Sequence, residues 1–145
     1  MNSDAKRHNA ACHCGAVQFR VRLEDEFNTI RRCSCSYCSM RGAVAVSAPL
    51  DGIEFLKGEQ SLTLYQFNTH TARHYFCKIC GIYTHHQRRS NPNLFGINVA
   101  CIEGISPFDF PEILVMDGVA HPSDTGLSNS GAVPPVAGVL RFFTT

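Results

Sequence analysis

Cysteine is the residue type whose spacing in this chain most clearly predicts chemistry. The 145-residue sequence contains 8 cysteines, and all but Cys101 fall in three short clusters. The clusters are Cys12 and Cys14, then Cys33, Cys35 and Cys38, and then Cys77 and Cys80. In a reducing compartment, closely spaced cysteines bind metal more often than they form disulfides. The spacing therefore predicts metal binding, with zinc as the default ion.

The residues that follow the cysteines indicate how the clusters divide. Gly15 and Gly81 come directly after Cys14 and Cys80, whereas Cys38 is followed by a serine. Glycine permits a tight turn in which backbone amides point at metal-bound sulfurs. The first and third clusters therefore look like two halves of one closed, tetrahedral, structural zinc site. Its ligands are predicted to be Cys12, Cys14, Cys77 and Cys80.

The remaining cluster offers three thiolates and no obvious fourth protein ligand. Cys33, Cys35 and Cys38 lie within six positions, separated by serines and a tyrosine. Three protein ligands with one open position are typical of a catalytic zinc site, where water or substrate completes the tetrahedron. Three thiolates and a divalent ion together give the centre a net charge of −1. Such a centre is a poor Lewis acid and suits attack by a bound sulfur better than hydrolysis.

Other interpretations of the cysteines stay open at the level of sequence. Both sites could be structural, with water or a ligand from a neighbouring chain completing the second one. Cys77 and Cys80 could form a redox pair, although such pairs lie at a helix N-terminus and a strand-like run follows here. Soft thiolates also suit copper(I) or an iron–sulfur cluster.

Short strands must position these clusters. Residues 17–23 alternate apolar and polar side chains, and Phe95, Ile97, Val99 and Cys101 repeat the alternation, which is the period of a strand with one buried face. No segment shows the 3.6-residue stripe of a helix. The sequence thus predicts a mostly antiparallel all-β domain. Further β-rich runs cover residues 43–46, 53–56, 62–67, 73–76, 82–85 and 113–116, with a long loop over 121–135 and a last strand near 139–143.

Length and composition predict one soluble domain. We expect a flexible N-terminal segment over residues 1–10 and a single zinc-binding domain over 11–145. No apolar run is long enough to cross a bilayer, and residues 1–10 lack the apolar core of a signal peptide, so the expected location is the cytoplasm. A formal net charge of +1 gives no general attraction to nucleic acid or membrane, so neither is an expected partner.

Three arginines flank the open cluster. Arg31 and Arg32 precede Cys33, and Arg41 follows Cys38 by three positions. A guanidinium pairs readily with a carboxylate, so each of these side chains is a candidate contact for an anionic substrate. Exposed arginines beside a loop are also common without any such role.

Three histidines and the isolated cysteine are weaker candidates for a functional role. His85 and His86 follow the third cluster and would face opposite sides of a strand, so at most one is expected to point inward. A packed or solvated role is favoured over ligation for both, and His121 is no better placed. Cys101 is expected to pack as a small buried hydrophobe.

The cysteine clusters together resemble a known family. The segments Cys12-His13-Cys14-Gly15, Cys33-Ser34-Cys35-Ser36-Tyr37-Cys38 with Gly42 following, and Phe76-Cys77-Lys78-Ile79-Cys80-Gly81 are similar to those of the glutathione-dependent formaldehyde-activating enzyme family, which includes centromere protein V. The resemblance spans roughly residues 12–101 and rests on three clusters in a fixed order.

The resemblance implies a fold and an activity. It implies a β-tent fold with two zinc ions per chain, one structural on four cysteines and one catalytic on Cys33, Cys35 and Cys38. The implied reaction is that of a carbon–sulfur lyase that joins glutathione, or a related thiol, to formaldehyde or a related aldehyde. Its implied partners are therefore a small-molecule thiol and an aldehyde. The alternative from another class is a non-catalytic, zinc-stabilised binding module of the same fold.

Overall fold

The part of the chain that the structure describes contains eleven strands. The structure is a computed structural model and describes residues 6–67, 70–89, 91–116 and 136–141. The strands are β1 (Arg7–Ala11), β2 (Gln18–Arg22), β3 (Arg31–Cys33), β4 (Ala45–Pro49), β5 (Ile53–Lys57), β6 (Leu62–Tyr65), β7 (Arg73–Cys77), β8 (Tyr83–Gln87), β9 (Leu94–Asn98), β10 (Glu112–Met116) and β11 (Val136–Arg141).

These strands form two sheets. The small sheet has the order β1-β2-β5, and the large sheet has the order β11-β10-β3-β4-β9-β8-β7-β6. Among the described strands, β3 and β10 pair in parallel and the other neighbours are antiparallel. The predicted all-β, mostly antiparallel fold class is therefore confirmed.

The hydrophobic core lies between the two sheets. On β2 the buried side chains Phe19 and Val21 alternate with the exposed Arg20, as the sequence predicts. Phe19 faces the large sheet, where its ring centroid lies 6.2 Å from that of His85 on β8. Strand β4 shows no alternation, because residues 45–48 are all buried at the centre of the large sheet. A strand covered on both faces is buried at every position.

A short α-helix, which the sequence did not predict, follows β3 and is the one α-helix among the described residues. Helix α1 spans Ser36–Arg41, and its N-cap is Cys35, whose sulfur accepts a hydrogen bond from the amide of Cys38. It ends at Gly42, which adopts a left-handed conformation and donates its N–H to the carbonyl of Cys38. Six residues are too few to display a helical stripe. Within the described ranges, no helix is long and apolar enough to cross a membrane.

Three further segments differ from the sequence expectations or lie outside the described residues. Strand β1 lies mostly within residues 1–10, where a flexible segment was expected, and its His8 and Ala10 are buried. Strand β9 ends at Asn98, whose side chain accepts from the amide of Ala100 and starts a 3₁₀ turn through Cys101. The loop expected over residues 121–135 lies outside the described residues.

The turn after β5 positions the first cysteine cluster and yields a stability prediction. Gly58 has a φ of +79°, and a Cβ there would lie 1.8 Å from the carbonyl oxygen of Ala16, just beyond Cys14. We expect Gly58→Ala to lower the free energy of unfolding by roughly 3 kcal/mol or more, because backbone must move. Gly104 is the matched control, since its φ is +77° with no atom within 4 Å. Gly104→Ala should lower the free energy of unfolding by only about 1–2 kcal/mol, because alanine is strained in the left-handed conformation but meets no other atom there. Equal losses in urea titrations would contradict this packing role.

Candidate metal centres

The structure brings Cys12, Cys14, Cys77 and Cys80 together. Their four sulfur atoms all lie within 4.8 Å of one another. The Sγ atom of Cys14 lies 3.7 Å from that of Cys12 and 3.8 Å from that of Cys77. Sulfurs about 2.3 Å from a tetrahedral zinc ion are about 3.8 Å apart. The group therefore has the spacing that a tetrahedral zinc ion requires.

Matching turns present the sulfurs of this four-cysteine group. Gly15 and Gly81 adopt nearly equal left-handed φ values of +78° and +79°. Backbone amides point at the sulfurs, with Val17 N 3.3 Å from Cys12 Sγ and Ile79 N 3.4 Å from Cys77 Sγ. Such amide–sulfur bonds stabilise thiolate and hold the ligands in place. The two halves thus have the geometry that the glycine pattern predicts.

The four-cysteine group joins the two sheets. Cys12 and Cys14 lie in the turn between β1 and β2 of the small sheet, whereas Cys77 ends β7 and Cys80 lies in the turn to β8 of the large sheet. Cys12 and Cys77 are buried, Cys80 is half-buried and Cys14 is exposed. A metal ion here would cross-link the two sheets, and two of its ligands, Cys14 and Cys77, are 63 positions apart in sequence.

The second group contains Cys33, Cys35 and Cys38, whose sulfurs also lie within 4.8 Å of one another. Cys33 ends β3, Cys35 caps α1 and Cys38 lies in the helix. Cys38 is buried, whereas Cys33 and Cys35 are partly exposed. In the part of the chain that the structure describes, no fourth histidine, cysteine or carboxylate joins this group. It is therefore a three-ligand group with access from solvent.

The charge of the three-cysteine group favours a cation. Hydrogen bonds from Cys33 and then Cys38 lower the pKa of Cys35 to about 2. The contact with Cys35 raises the pKa of Cys33, and the contacts with Cys33 and then Cys35 raise the pKa of Cys38. Without a cation the group would thus hold one thiolate and two thiols. A divalent, thiolate-binding ion removes the remaining protons, so the donor set fits zinc.

The three candidate arginines have different surroundings. Arg31 is half-buried and donates to the Ser47 hydroxyl at 3.0 Å, and desolvation, followed by the charge of Arg88, lowers its pKa to about 10. Arg41 donates to the sulfur of Cys38 at 3.3 Å. Arg32 makes no hydrogen bond or ion pair within the described ranges, and its guanidinium lies beside Gly42 at the end of α1. Of the three, Arg32 is the one available to a substrate carboxylate.

Both strand histidines are packed, and neither joins a metal group in the described residues. His85 stacks on Tyr75 with ring centroids 4.7 Å apart, and burial lowers its pKa to about 4. His86 Nδ1 is hydrogen-bonded to the hydroxyl of Tyr83 at 2.6 Å. His85 is buried against Phe19 of the small sheet, whereas His86 is half-buried, so the structure agrees with the expectation that at most one of the two points inward. His121 lies outside the described residues.

Cys101 is isolated from both groups. It is 7 % exposed, and its sulfur lies 3.5 Å from the carbonyl oxygen of Tyr83. Burial raises its pKa to about 12, so it stays a neutral thiol. Its packing agrees with the sequence prediction.

An open cleft of about 420 Å³ is lined by residues that neighbour both groups of cysteines in sequence. Its walls are mainly apolar, and they include Arg41 and Gly42 after the three-cysteine group and Gly81 after the four-cysteine group. Sequence spacing did not reveal this cleft, because its residues come from distant segments. The lining residues are Tyr37, Arg41, Gly42, Ala43, Val44, Phe76, Gly81, Ile82, Tyr83, Asn98, Ala100 and Pro107.

Comparison with known proteins agrees with the resemblance that the cysteine clusters carry. The family model of the glutathione-dependent formaldehyde-activating enzyme matches residues 7–112, which is most of the chain and includes all seven clustered cysteines. The chain belongs to this family. The chain is also similar to a Rhodobacter sphaeroides protein of known crystal structure, a structural genomics target. The two are 53 % identical with a TM-score of 0.71, over 72 % of this chain and 96 % of that one.

Metal content tests the division of the cysteines into two groups. We expect protein purified without chelator to contain about two zinc ions per chain, measured by mass spectrometry of metals. Mild chelation should remove the ion at Cys33, Cys35 and Cys38 first, because three ligands hold a metal less firmly than four. A constant value of one zinc, with these three thiols all open to alkylation, would contradict the second centre.

Matched cysteine substitutions test the roles of the two groups. Cys14→Ser or Cys80→Ser should abolish the cooperative thermal transition or lower it severely, because structural zinc contributes about 10 kcal/mol or more to folding. Cys35→Ser is the control, since it makes the same change in the other group and should leave a folded protein. Circular dichroism melts that show equal damage from all three variants would contradict the assignment.

Proposed function

We propose that the three-cysteine group is the active site of a zinc-dependent carbon–sulfur lyase. The enzyme joins glutathione or a related thiol to formaldehyde or a related aldehyde, while the four-cysteine group holds a structural zinc. The observation that supports this proposal is the contrast between the two groups. One has four sulfurs in a closed set, whereas the other has three sulfurs, partial exposure and, within the described residues, no fourth protein ligand.

The residues of the three-cysteine group suit sulfur chemistry. A zinc ion held by Cys33, Cys35 and Cys38 would supply a position where a substrate thiol loses its proton. The three thiolates carry more negative charge than the ion, so they keep a neighbouring sulfur electron-rich. The amides of Cys35 and Cys38 point at the sulfurs of Cys33 and Cys35, at 3.5 and 3.3 Å. This backbone holds the ligands in one geometry before any substrate arrives.

The atoms of the proposed reaction balance without an oxidant or reductant. A carbon–sulfur bond forms between the thiol sulfur and the carbonyl carbon as the carbonyl π bond breaks. The thiol releases one proton to solvent, and the former carbonyl oxygen takes up one proton from solvent. The number of protons is therefore unchanged. The product is an S-hydroxymethyl thioether when the aldehyde is formaldehyde.

Substrate recognition is proposed to use Arg32 and the cleft. The Arg32 guanidinium lies beside Gly42, which also lines the cleft. Glutathione has two carboxylates, and a guanidinium can bind one of them through two parallel hydrogen bonds. Arg31 and Arg41 are engaged with Ser47 and Cys38, so Arg32 is the best placed of the three.

Adduct formation from ¹³C-labelled formaldehyde and glutathione tests this function. We expect zinc-loaded protein to exceed the spontaneous rate, measured by NMR, since thiols add to formaldehyde unaided. Cys35→Ser should reduce the enzymatic part by about 10- to 100-fold or more while the protein stays folded. Cys101→Ser is the matched control, because it makes the same change outside both groups and should retain activity.

The outcomes separate the proposed enzyme from the non-catalytic alternative. Glutathione binding without acceleration would contradict formaldehyde as the aldehyde and leave a different thiol–aldehyde pair. Neither binding nor acceleration across several thiols and aldehydes would contradict the enzyme, and the zinc-stabilised module would then be the better description.

A further inference from the structure

The guanidinium of Arg41 contacts a sulfur of the three-cysteine group directly. Its Nη2 lies 3.3 Å from Cys38 Sγ, and its Nη1 lies 3.1 Å from Nδ1 of His74. Arginine has donors only, so both contacts are hydrogen bonds that the guanidinium donates. The Cys38 bond joins residues three apart on α1, a spacing at which helix side chains are neighbours. His74, on β7, is 33 positions away in sequence.

Aromatic side chains hold this guanidinium in place. Its central carbon lies 3.7 Å from the ring centroid of Tyr83 and 4.8 Å from that of Tyr37. Tyr83 is itself buried and fixed, since its hydroxyl bonds His86 at 2.6 Å and the carbonyl of Gly96 at 3.2 Å. A cation over an aromatic face is attracted to the ring, and more strongly where water is excluded. The Arg41 side chain is therefore pre-positioned.

The charge on Arg41 is matched by sulfur. In the described ranges, no ion pair joins Arg41 to an aspartate or glutamate. Its other bonded partner, His74, is buried, and burial followed by the charge of Arg41 lowers the pKa of that imidazole to about 4. His74 is therefore neutral at physiological pH and accepts from Arg41. A metal ion bound to Cys38 would remove the proton of that thiol, and the guanidinium donates its hydrogen bond to this same sulfur.

We propose that Arg41 is a positioning residue for the three-cysteine metal centre, which fixes the sulfur of Cys38 and offsets the excess negative charge of the three thiolates. This inference rests on the metal-binding part of the proposed function and is independent of the substrates. Charge-assisted hydrogen bonds are about twice as strong as neutral ones. Outer-shell partners of metal ligands typically change metal affinity by about 10- to 100-fold.

The proposal predicts a spectroscopic effect as well as an affinity effect. A positive charge beside Cys38 Sγ lowers the energy of the electrons on that sulfur. Transfer of an electron from sulfur to a bound metal ion then needs more energy. Without the guanidinium, the sulfur-to-metal absorption band should move to longer wavelength. A residue that only packed against Tyr83 would not move this band.

Cobalt(II) is the probe for this experiment. Protein holding one equivalent of zinc is titrated with cobalt, and the band that Cys35→Ser abolishes is assigned to the three-cysteine centre. We expect Arg41→Met to weaken cobalt binding at this centre by about 10- to 100-fold and to shift the band to longer wavelength. Methionine keeps an unbranched stem against the tyrosine rings but has no charge. Arg41→Lys keeps the charge and should lie closer to the native protein in both measurements.

Arg73 provides a charge-matched control for Arg41. Arg73 is exposed and adjacent to His74 in sequence, so Arg73→Met removes the same charge without touching a sulfur. It should leave the band and the affinity unchanged. The proposed role of Arg41 is wrong if Arg41→Met has the cobalt affinity and absorption band of the native protein, or if the methionine and lysine variants give identical values. Either result would leave the proposed metal centre itself intact. If native protein shows no band that depends on Cys35, the metal centre of the proposed function fails as well.

Discussion

The meeting of four sulfurs from two sheets is the constraint on which the rest of the structure depends. Cys12 and Cys14 lie in a turn of the small sheet, and Cys77 and Cys80 lie at the end of β7 and in the turn after it in the large sheet, yet the four sulfurs lie within 4.8 Å of one another. Closing the 63-residue loop between Cys14 and Cys77 costs about 4 kcal/mol of chain entropy. A structural zinc site contributes about 10 kcal/mol or more, which exceeds that cost. The aromatic contacts of Phe19 with His85 then fill the space between the sheets.

The three-cysteine centre has a different relation to the fold. Its ligands lie within six residues, at the end of β3 and the start of α1, so a metal ion there closes almost no loop. If each group holds a metal ion, loss of the ion at the three-cysteine group would leave the two sheets joined at the four-cysteine group. An exchangeable position at Cys33, Cys35 and Cys38, as proposed, would then be compatible with a stable fold. Arg41 on α1 connects this group to the large sheet, since its guanidinium contacts His74 on β7 and Tyr83 on β8.

Local patterns in the sequence predicted much of this arrangement. The glycines after Cys14 and Cys80 identified the two halves of one group, because a left-handed turn leaves a clear residue signature. Alternation identified β2, since one of its faces is buried. By contrast, α1 is too short for a periodic pattern, and the three-residue β3 is held by its neighbours β4 and β10. Those neighbours are distant in sequence.

The environment of the site depends on contacts that no local pattern encodes. The bond between Arg41 and Cys38 requires the helix, and the contact with His74 joins residues 33 positions apart. The cleft likewise combines residues from α1, β7 and the segments beside them. His85 packs against Phe19 of the small sheet, and His86 stacks on His74 of the neighbouring β7. Such features follow from topology, which the strand pattern alone left open.

X-ray absorption at the zinc edge tests the central claim most directly, because it counts the sulfur atoms around the metal. With both centres loaded, the account predicts an average of about 3.5 sulfurs and 0.5 oxygen or nitrogen ligands per zinc, with zinc–sulfur distances of about 2.3 Å. Addition of glutathione should raise the average to about four sulfurs, as a thiolate occupies the open position. Four sulfurs per zinc before any thiol is added, or an average that glutathione leaves unchanged, would contradict an exchangeable position at Cys33, Cys35 and Cys38.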